Sequence, residues 1–173
     1  MTPSRRALGA VGCVAEVRVN QELPDGRSNI VVVGGSRFRV SHLLEESQPY
    51  LVAMVQTFED EAGTQPSMEE SASLRHLAVQ YFAGLRELND EPPDEVVLPE
   101  DSLALTFHVA GSIACDLGIK QRLMEERSTA RRLRALLLLL PVLTRSLEKG
   151  ITVHRQAHSN GKGGSMPDLL SSS

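Results

Sequence analysis

The strongest constraint on the fold is a change of pattern near Glu59, where strand-like sequence gives way to helix-like sequence. Before that point, short β-branched segments are separated by turn signals, which is typical of antiparallel strands. After it, leucine and alanine recur at helical spacing. Segregation of strands and helices along a chain indicates an α+β fold. We therefore predict a partial antiparallel β pseudo-barrel followed by a helical bundle.

The same patterns divide the 173-residue chain into four regions. Residues 1–60 are predicted to form the partial β pseudo-barrel, and residues 61–100 a helix with an acidic, proline-rich connection. Residues 101–158 are predicted to form the C-terminal helical bundle. Residues 159–173 are rich in glycine and serine, which is typical of a disordered tail.

Two turn signals interrupt the strand-like region. In Pro24–Gly26 the proline presets φ, the aspartate hydrogen-bonds the local backbone and the glycine accepts positive φ. Gly34–Ser36 is predicted to be a second turn. Between them, Asn29–Val33 is nearly continuous in apolar β-branched residues, which predicts a strand covered on both faces.

Alternation predicts the orientation of the strand that follows the second turn signal. Phe38 and Val40 are expected to face the core, because successive side chains of a strand point to opposite faces. Arg37 and Arg39 are then expected on the other face, in surface pairing rather than in ligand binding. A further strand is predicted over residues 50–58.

The helical region carries its own start and stop signals. Ser67 with Glu70 matches the capping-box pattern, which predicts a helix N-terminus. Asp101 or Ser102 is predicted to cap a second helix, and a short helix is predicted over residues 119–127. A last helix is predicted to begin near Ser128, with a kink at Pro141.

Bulk properties exclude some classes of function. The formal net charge of −4 and an aromatic content of 3% argue against a nucleic-acid binder that relies on a positive field and stacking. The two cysteines are not in a CxxC pair, and no signal-peptide core is present, which predicts a cytoplasmic protein. No apolar run is long enough to cross a bilayer, so no membrane partner is expected.

No motif predicts a catalytic, cofactor-binding or metal site. The segment 161–165 resembles part of a P-loop but lacks its first glycine and its strand–helix setting. His154 and His158 have a metal-ligand spacing without a third ligand, and are interpreted as surface residues. A basic set on the last predicted helix is interpreted as a solvated face (Arg131, Arg132, Arg134 and Arg145).

An ordered set of motifs resembles the substrate-binding domain of Lon proteases. The motifs are the "VGCVAEV" strand from Val11, "LPDGR" from Leu23, "GGSRFRV" from Gly34, "PYLVA" from Pro49 and "KQRLME" from Lys120. They follow the order and spacing of the family over most of the chain, up to about residue 164. The family domain usually has a strand and a helix before the "VGxxA" strand, whereas only ten residues precede Val11 here.

The resemblance implies a PUA-like pseudo-barrel that recognises unfolded or degron-bearing polypeptides without catalysis, through peptide-binding residues that the sequence does not identify. The chain is thus expected not to be an enzyme, since it shows no AAA+ motor motif and no protease motif. Two alternatives remain open, an adaptor that acts with a separate ATP-dependent protease and an RNA-binding PUA-like module. The short N-terminal segment predicts an open sheet edge, and with it poor solubility or self-association through that edge.

Overall fold

The computed structural model describes residues 9–44 and 49–161, except for the side chains at 154 and 157–161. It contains three strands and four helices, in the order β1 (Val11–Glu22), β2 (Ser28–Leu44), β3 (Val52–Phe58), α1 (Met68–Leu88), α2 (Ser102–Ser112), α3 (Leu117–Glu125) and α4 (Thr129–Gly161). This confirms the α+β class. The P-loop-like segment 161–165 and the predicted tail at 159–173 lie largely outside the described residues.

The chain forms two compact units. The first contains the chain up to Thr64 together with the segment Asp116–Ser128, so the short helix α3 belongs with the strands. The second contains Gln65–Cys115 and the chain from Thr129 onward, which includes α1, α2 and α4.

The strands of the first unit form one open antiparallel sheet in the order β1–β2–β3. The predicted turn at Pro24–Gly26 is confirmed and joins β1 to β2. Gly26 has φ of +82°, which favours glycine, and its N–H donates to the carbonyl of Leu23 at 3.0 Å. The Asp25 carboxylate accepts from the backbone N–H of Arg27 at 3.1 Å, which is the local hydrogen bond that the sequence predicts.

The predicted turn at Gly34–Ser36 is wrong, because β2 runs through it without reversing. Cys13 pairs with Arg37 and Ala15 pairs with Gly34, so β2 uses one residue more than β1 over this interval. Such an extra residue is a β-bulge, and glycine commonly accompanies bulges in strands. The two glycines therefore bend a long strand rather than end it.

The second unit is a helical bundle with an aliphatic core. Ser67 caps α1 as predicted, and the reciprocal hydrogen bonds with Glu70 form the complete capping box. The side chains of α1 pack chiefly on α4, where Leu147 lies against Gly84 so closely that a Cβ there would be 2.9 Å from it. The most buried apolar residues of this core lie on all three helices (Leu74, Ala78, Leu105, Val109, Leu133, Leu136 and Leu140).

Helix α4 is continuous over 33 residues and contains Pro141. It begins within one residue of the predicted start. Among the described residues, no helix combines the length and the hydropathy that a membrane span requires.

Candidate functional site

The outer part of the β1–β2 hairpin has only two strands. β3 pairs with β2 from Arg37 to Leu44, so residues 28–36 of β2 are hydrogen-bonded to β1 alone within the described structure. We call residues 15–22 of β1 and 28–34 of β2 the apolar ribbon. It extends from the bulge to the turn at Pro24–Gly26.

The apolar ribbon exposes aliphatic side chains on both of its faces. They are between 47% and 58% exposed (Val17, Val19, Ile30, Val31, Val32 and Val33). Val17 lies opposite Val32 and Val19 lies opposite Val31, with a second bulge at Arg18 between the two pairs. Because Val31 and Val32 are adjacent on one strand, the two pairs face opposite sides.

This exposure corrects the prediction that Asn29–Val33 is covered on both faces. The apolar run was correctly predicted to be a strand, but no described element of the first unit covers it. An uncovered two-stranded hairpin is only marginally stable in water. Contiguous exposed apolar surface on a folded protein marks an interaction site. The apolar ribbon is therefore the best candidate for binding another polypeptide.

The two edges of the apolar ribbon differ in charge. β1 carries Glu16, Arg18 and Glu22 in this region, and Arg18 forms an exposed ion pair with Glu16 at 2.6 Å. β2 has no charged residue from Ser28 to Ser36. Charged side chains on an edge oppose the addition of a strand, whereas a free uncharged edge is a template for it. An added strand would thus pair with residues 28–36 of β2, on the same edge of β2 that pairs with β3 from Arg37 to Leu44.

Arg37 holds the base of this hairpin, which is the end away from the Pro24–Gly26 turn, to α3 and to Asp60. Its guanidinium donates to the carbonyls of Met124 and Glu126 at 2.7 and 3.0 Å and forms an ion pair with Asp60. It also lies 4.8 Å from the centre of the Phe58 ring. With only 8% of its surface exposed, Arg37 is a buried structural residue, which corrects the prediction of a surface position.

Further contacts hold α3 and its flanks to the sheet. Gln121 donates to the carbonyl of Val11 at 2.9 Å, and Arg127 donates to the carbonyl of Glu59 at 3.2 Å. The Arg127 guanidinium lies 5.7 Å from the Phe58 ring, and its backbone carbonyl accepts from the N–H of Glu61. These contacts lie at the Arg37 end of the hairpin, so the apolar ribbon projects from a fixed base.

The neighbouring strand residues fit the prediction in part. Arg39 is exposed and donates to the carbonyl of Gly9 at 2.8 Å, as a surface pairing role requires. Phe38 and Val40 are only half-buried. The Phe38 ring lies over Gly12, where a Cβ would come within 2.6 Å of it, so the absence of a side chain at Gly12 makes room for the ring.

The arginines of the last helix do not all lie on one solvated face. Arg132 is fully buried, where it lies 3.8 Å from the centre of the Phe107 ring and donates to the hydroxyl of Thr106 at 3.0 Å. Arg134 is exposed and pairs with Glu70 at 2.7 Å. The prediction of one solvated face is therefore wrong for Arg132. A planar, always-charged guanidinium that stacks on an aromatic ring is a common form of buried arginine.

The described histidines and cysteines form no metal-binding group. The side chains of His154 and His158 lie outside the described residues, and within the described part no group of histidine, cysteine and carboxylate side chains is arranged to hold a metal ion. His76 contacts Gln80 at 3.0 Å, and the His108 ring meets Phe82 edge to face at 6.3 Å. Cys13 and Cys115 are free thiols.

Comparison with known proteins gives one family. The model of the ATP-dependent protease La (LON) substrate-binding domain matches residues 2–141. A Lon protease of Cytophaga hutchinsonii is 25% identical over 91% of this chain and 20% of its own length. Lon protease 2 of Herpetosiphon aurantiacus is 29% identical over 77% of the chain and 16% of its own length, and a Lon protease of Erwinia amylovora is 28% identical over 80% and 18%.

The chain therefore spans about a fifth or less of the length of these relatives. The matched part is the substrate-binding domain and not the catalytic part of the protease. Because the match covers well over half of the chain, this protein belongs to the Lon substrate-binding domain family.

Proposed function

We propose that this chain is a non-catalytic module that binds unfolded or degron-bearing polypeptides at the apolar ribbon. The observation that carries the proposal is the exposure of aliphatic side chains on both faces of a hairpin whose β2 edge is uncharged. An extended peptide that pairs with this edge would satisfy its free backbone groups and cover the valines beside it. This arrangement selects for backbone and apolar character rather than for one sequence.

The test is binding of a permanently unfolded protein, such as fluorescein-labelled, reduced and carboxymethylated α-lactalbumin. The double variant Val17→Thr/Val32→Thr keeps β-branched side chains and removes one exposed apolar pair. If each valine contributes about 1 kcal/mol on burial, the Kd should rise at least about tenfold. Fluorescence anisotropy measures this change.

The matched control is Val142→Thr, at an exposed valine of α4 in the second unit. It should leave the Kd unchanged. Equal weakening by the control and the ribbon variant, or no weakening by either, would show that the apolar ribbon is not the binding surface.

The proposal extends to the setting in which the module acts. We propose a cytoplasmic module that presents bound polypeptide to a separate ATP-dependent protease, because the matched domain is the substrate-binding part of such proteases. Affinity capture with the full chain, followed by mass spectrometry, should enrich that protease together with unfolded clients. Capture without any protease would remove the adaptor role and leave the binding role.

RNA binding is the less favoured alternative. The net charge is −4, and the exposed surface of the apolar ribbon is aliphatic rather than aromatic or basic. Retention of RNA on a filter that falls steeply with salt would reverse this ranking.

A further inference from the structure

The helical unit contains a groove of its own, formed by residues of that unit alone. It has a volume of about 300 Å³ and lies between the C-terminal end of α1, the segment that follows it, and α2. Most of its lining is polar, and its apolar wall consists of Phe82 and Leu85 of α1 with Val96 of the following segment. Val97 also lines the groove and is 79% exposed.

Local hydrogen bonds set the shape of this groove. Asp90 adopts φ of +56°, and the N–H of Glu91 donates to the carbonyl of Arg86 at 2.9 Å, which together form a Schellman-type end to α1. Arg86 then reaches the Asp94 carboxylate and the Pro92 carbonyl, each at 3.4 Å. These bonds turn the acidic segment back along α1, so that the segment forms one wall of the groove.

The charge of the groove is negative. The Arg86 guanidinium is paired with Asp94, whereas the carboxylates of Glu91 and Glu95 form no ion pair among the described residues. Every charged residue from Glu87 to Asp101 is acidic. The groove thus presents an apolar wall next to two unpaired carboxylates.

We propose that this groove binds a polypeptide segment in which an apolar side chain is flanked by lysine or arginine. The apolar wall would accept the anchor, and Glu91 with Glu95 would pair with the flanking cations. A volume of about 300 Å³ is at the small end for ligand pockets, which suits one or two side chains rather than a whole cofactor. The inference rests on the proposed polypeptide binding and gives it a second contact, on the other unit, with a stated chemistry.

The test uses the full chain and a labelled twelve-residue peptide with a central leucine and two arginines on each side of it. The double variant Glu91→Gln/Glu95→Gln should raise the Kd about fivefold at low ionic strength, because exposed charge pairs contribute modestly and are screened by salt. Val97→Thr should raise it about twofold to threefold by removing part of the apolar contact. A peptide with glutamine in place of arginine should bind the parent protein as weakly as the arginine peptide binds the double variant.

The matched control is Glu69→Gln/Glu148→Gln, which changes the net charge equally at two exposed sites of the same unit outside the groove. It should leave the Kd within twofold of the parent. Equal loss by both double variants would show a diffuse charge effect and overturn the proposal. Displacement of the peptide by spermidine at equal concentration would show that positive charge is sufficient for binding without an apolar anchor. A change in the sedimentation coefficient of Glu91→Gln/Glu95→Gln in the absence of peptide would show that the groove binds a second copy of the chain. Either result would overturn it.

The two binding surfaces can be separated with the same reagents. The variant Val17→Thr/Val32→Thr should bind the basic peptide as the parent does, since its substitutions lie in the first unit. If the apolar ribbon proved inert toward unfolded protein while Glu91→Gln/Glu95→Gln still weakened the peptide, the proposed function would fail and the groove would stand. If the ribbon variant weakened binding of unfolded protein while Glu91→Gln/Glu95→Gln left peptide binding unchanged, only the groove proposal would fail.

Discussion

At the scale of residues, Arg37 shows how one buried charge organises the base of the hairpin. The side chains of Arg37 and Asp60 are 8% and 10% exposed, and the same guanidinium also satisfies two carbonyls at the end of α3. Removal of one partner from a buried pair leaves the other charge uncompensated, which costs more than the pair contributes. Arg37 therefore stabilises the base of the sheet.

We predict that Arg37→Met lowers the free energy of unfolding of the first unit by about 3–5 kcal/mol, because the buried Asp60 carboxylate loses its ion pair with Arg37 and the carbonyls of Met124 and Glu126 lose this donor. Arg39→Met, on the same strand but exposed, should change it by less than about 0.5 kcal/mol. Urea unfolding followed by circular dichroism measures both. The double variant Arg37→Met/Asp60→Leu should regain part of the free energy of unfolding that Arg37→Met loses. If the effects of the two single substitutions simply add in the double variant, the two residues are not coupled.

At the scale of elements, features set by local sequence could be predicted and features set by partners could not. The α1 capping box and the Pro24–Gly26 turn depend on residues within a few positions of each other, and both were predicted correctly. The bulge at Gly34–Ser36 has the composition of a turn, and only its pairing with β1 distinguishes the two. The position of Arg37 depends on α3, which lies more than eighty residues farther along the chain.

We expect Glu70, at the start of α1, to make the stability of the protein depend on pH. The hydrogen bond from Arg134, followed by that from the backbone of Ser67, lowers the pKa of the Glu70 carboxyl below its ordinary value of 4.5. Because the folded pKa is lower than the unfolded one, Glu70 stabilises the folded state above the unfolded pKa and loses this effect as the pH falls through the folded pKa. Glu70→Gln should therefore be less stable than the parent at pH 7 and equal to it at low pH.

Thermal melts between pH 3 and pH 7 check this expectation. Glu69→Gln serves as the control, since it removes a carboxylate from the same helical turn without removing the pair with Arg134. It should lower stability less than Glu70→Gln at pH 7. A difference between Glu70→Gln and the parent that stayed constant across this range would rule out ionisation of Glu70 as its cause.

At the scale of the whole molecule, the helical unit and the base of the sheet have more stabilising contacts than the apolar ribbon. The helical unit has an aliphatic core from three helices, and the base of the sheet is held by α3. Among the described elements of the first unit, the apolar ribbon has neither a third strand nor a covering helix. The sequence predicted the strand at Asn29–Val33 but not its exposure, because a covered strand and an uncovered strand can have the same continuous run of apolar residues. Regions with few buried contacts open most readily, and binding surfaces are often drawn from them.

Hydrogen exchange should therefore distinguish the two ends of one hairpin. Backbone amides that pair β1 with β2 in the apolar ribbon should exchange at least about tenfold faster than those that pair β2 with β3 between Arg37 and Leu44. Unfolded client protein should slow exchange in the apolar ribbon and leave α4 unchanged, because the ribbon gains backbone partners whereas the proposed groove at the end of α1 is contacted through side chains. Equal protection at both ends of the hairpin without client would mean that the ribbon is stable unaided. Protection by client that appeared in the helices instead would place the contact on the second unit, so the pattern of exchange alone decides where the polypeptide binds.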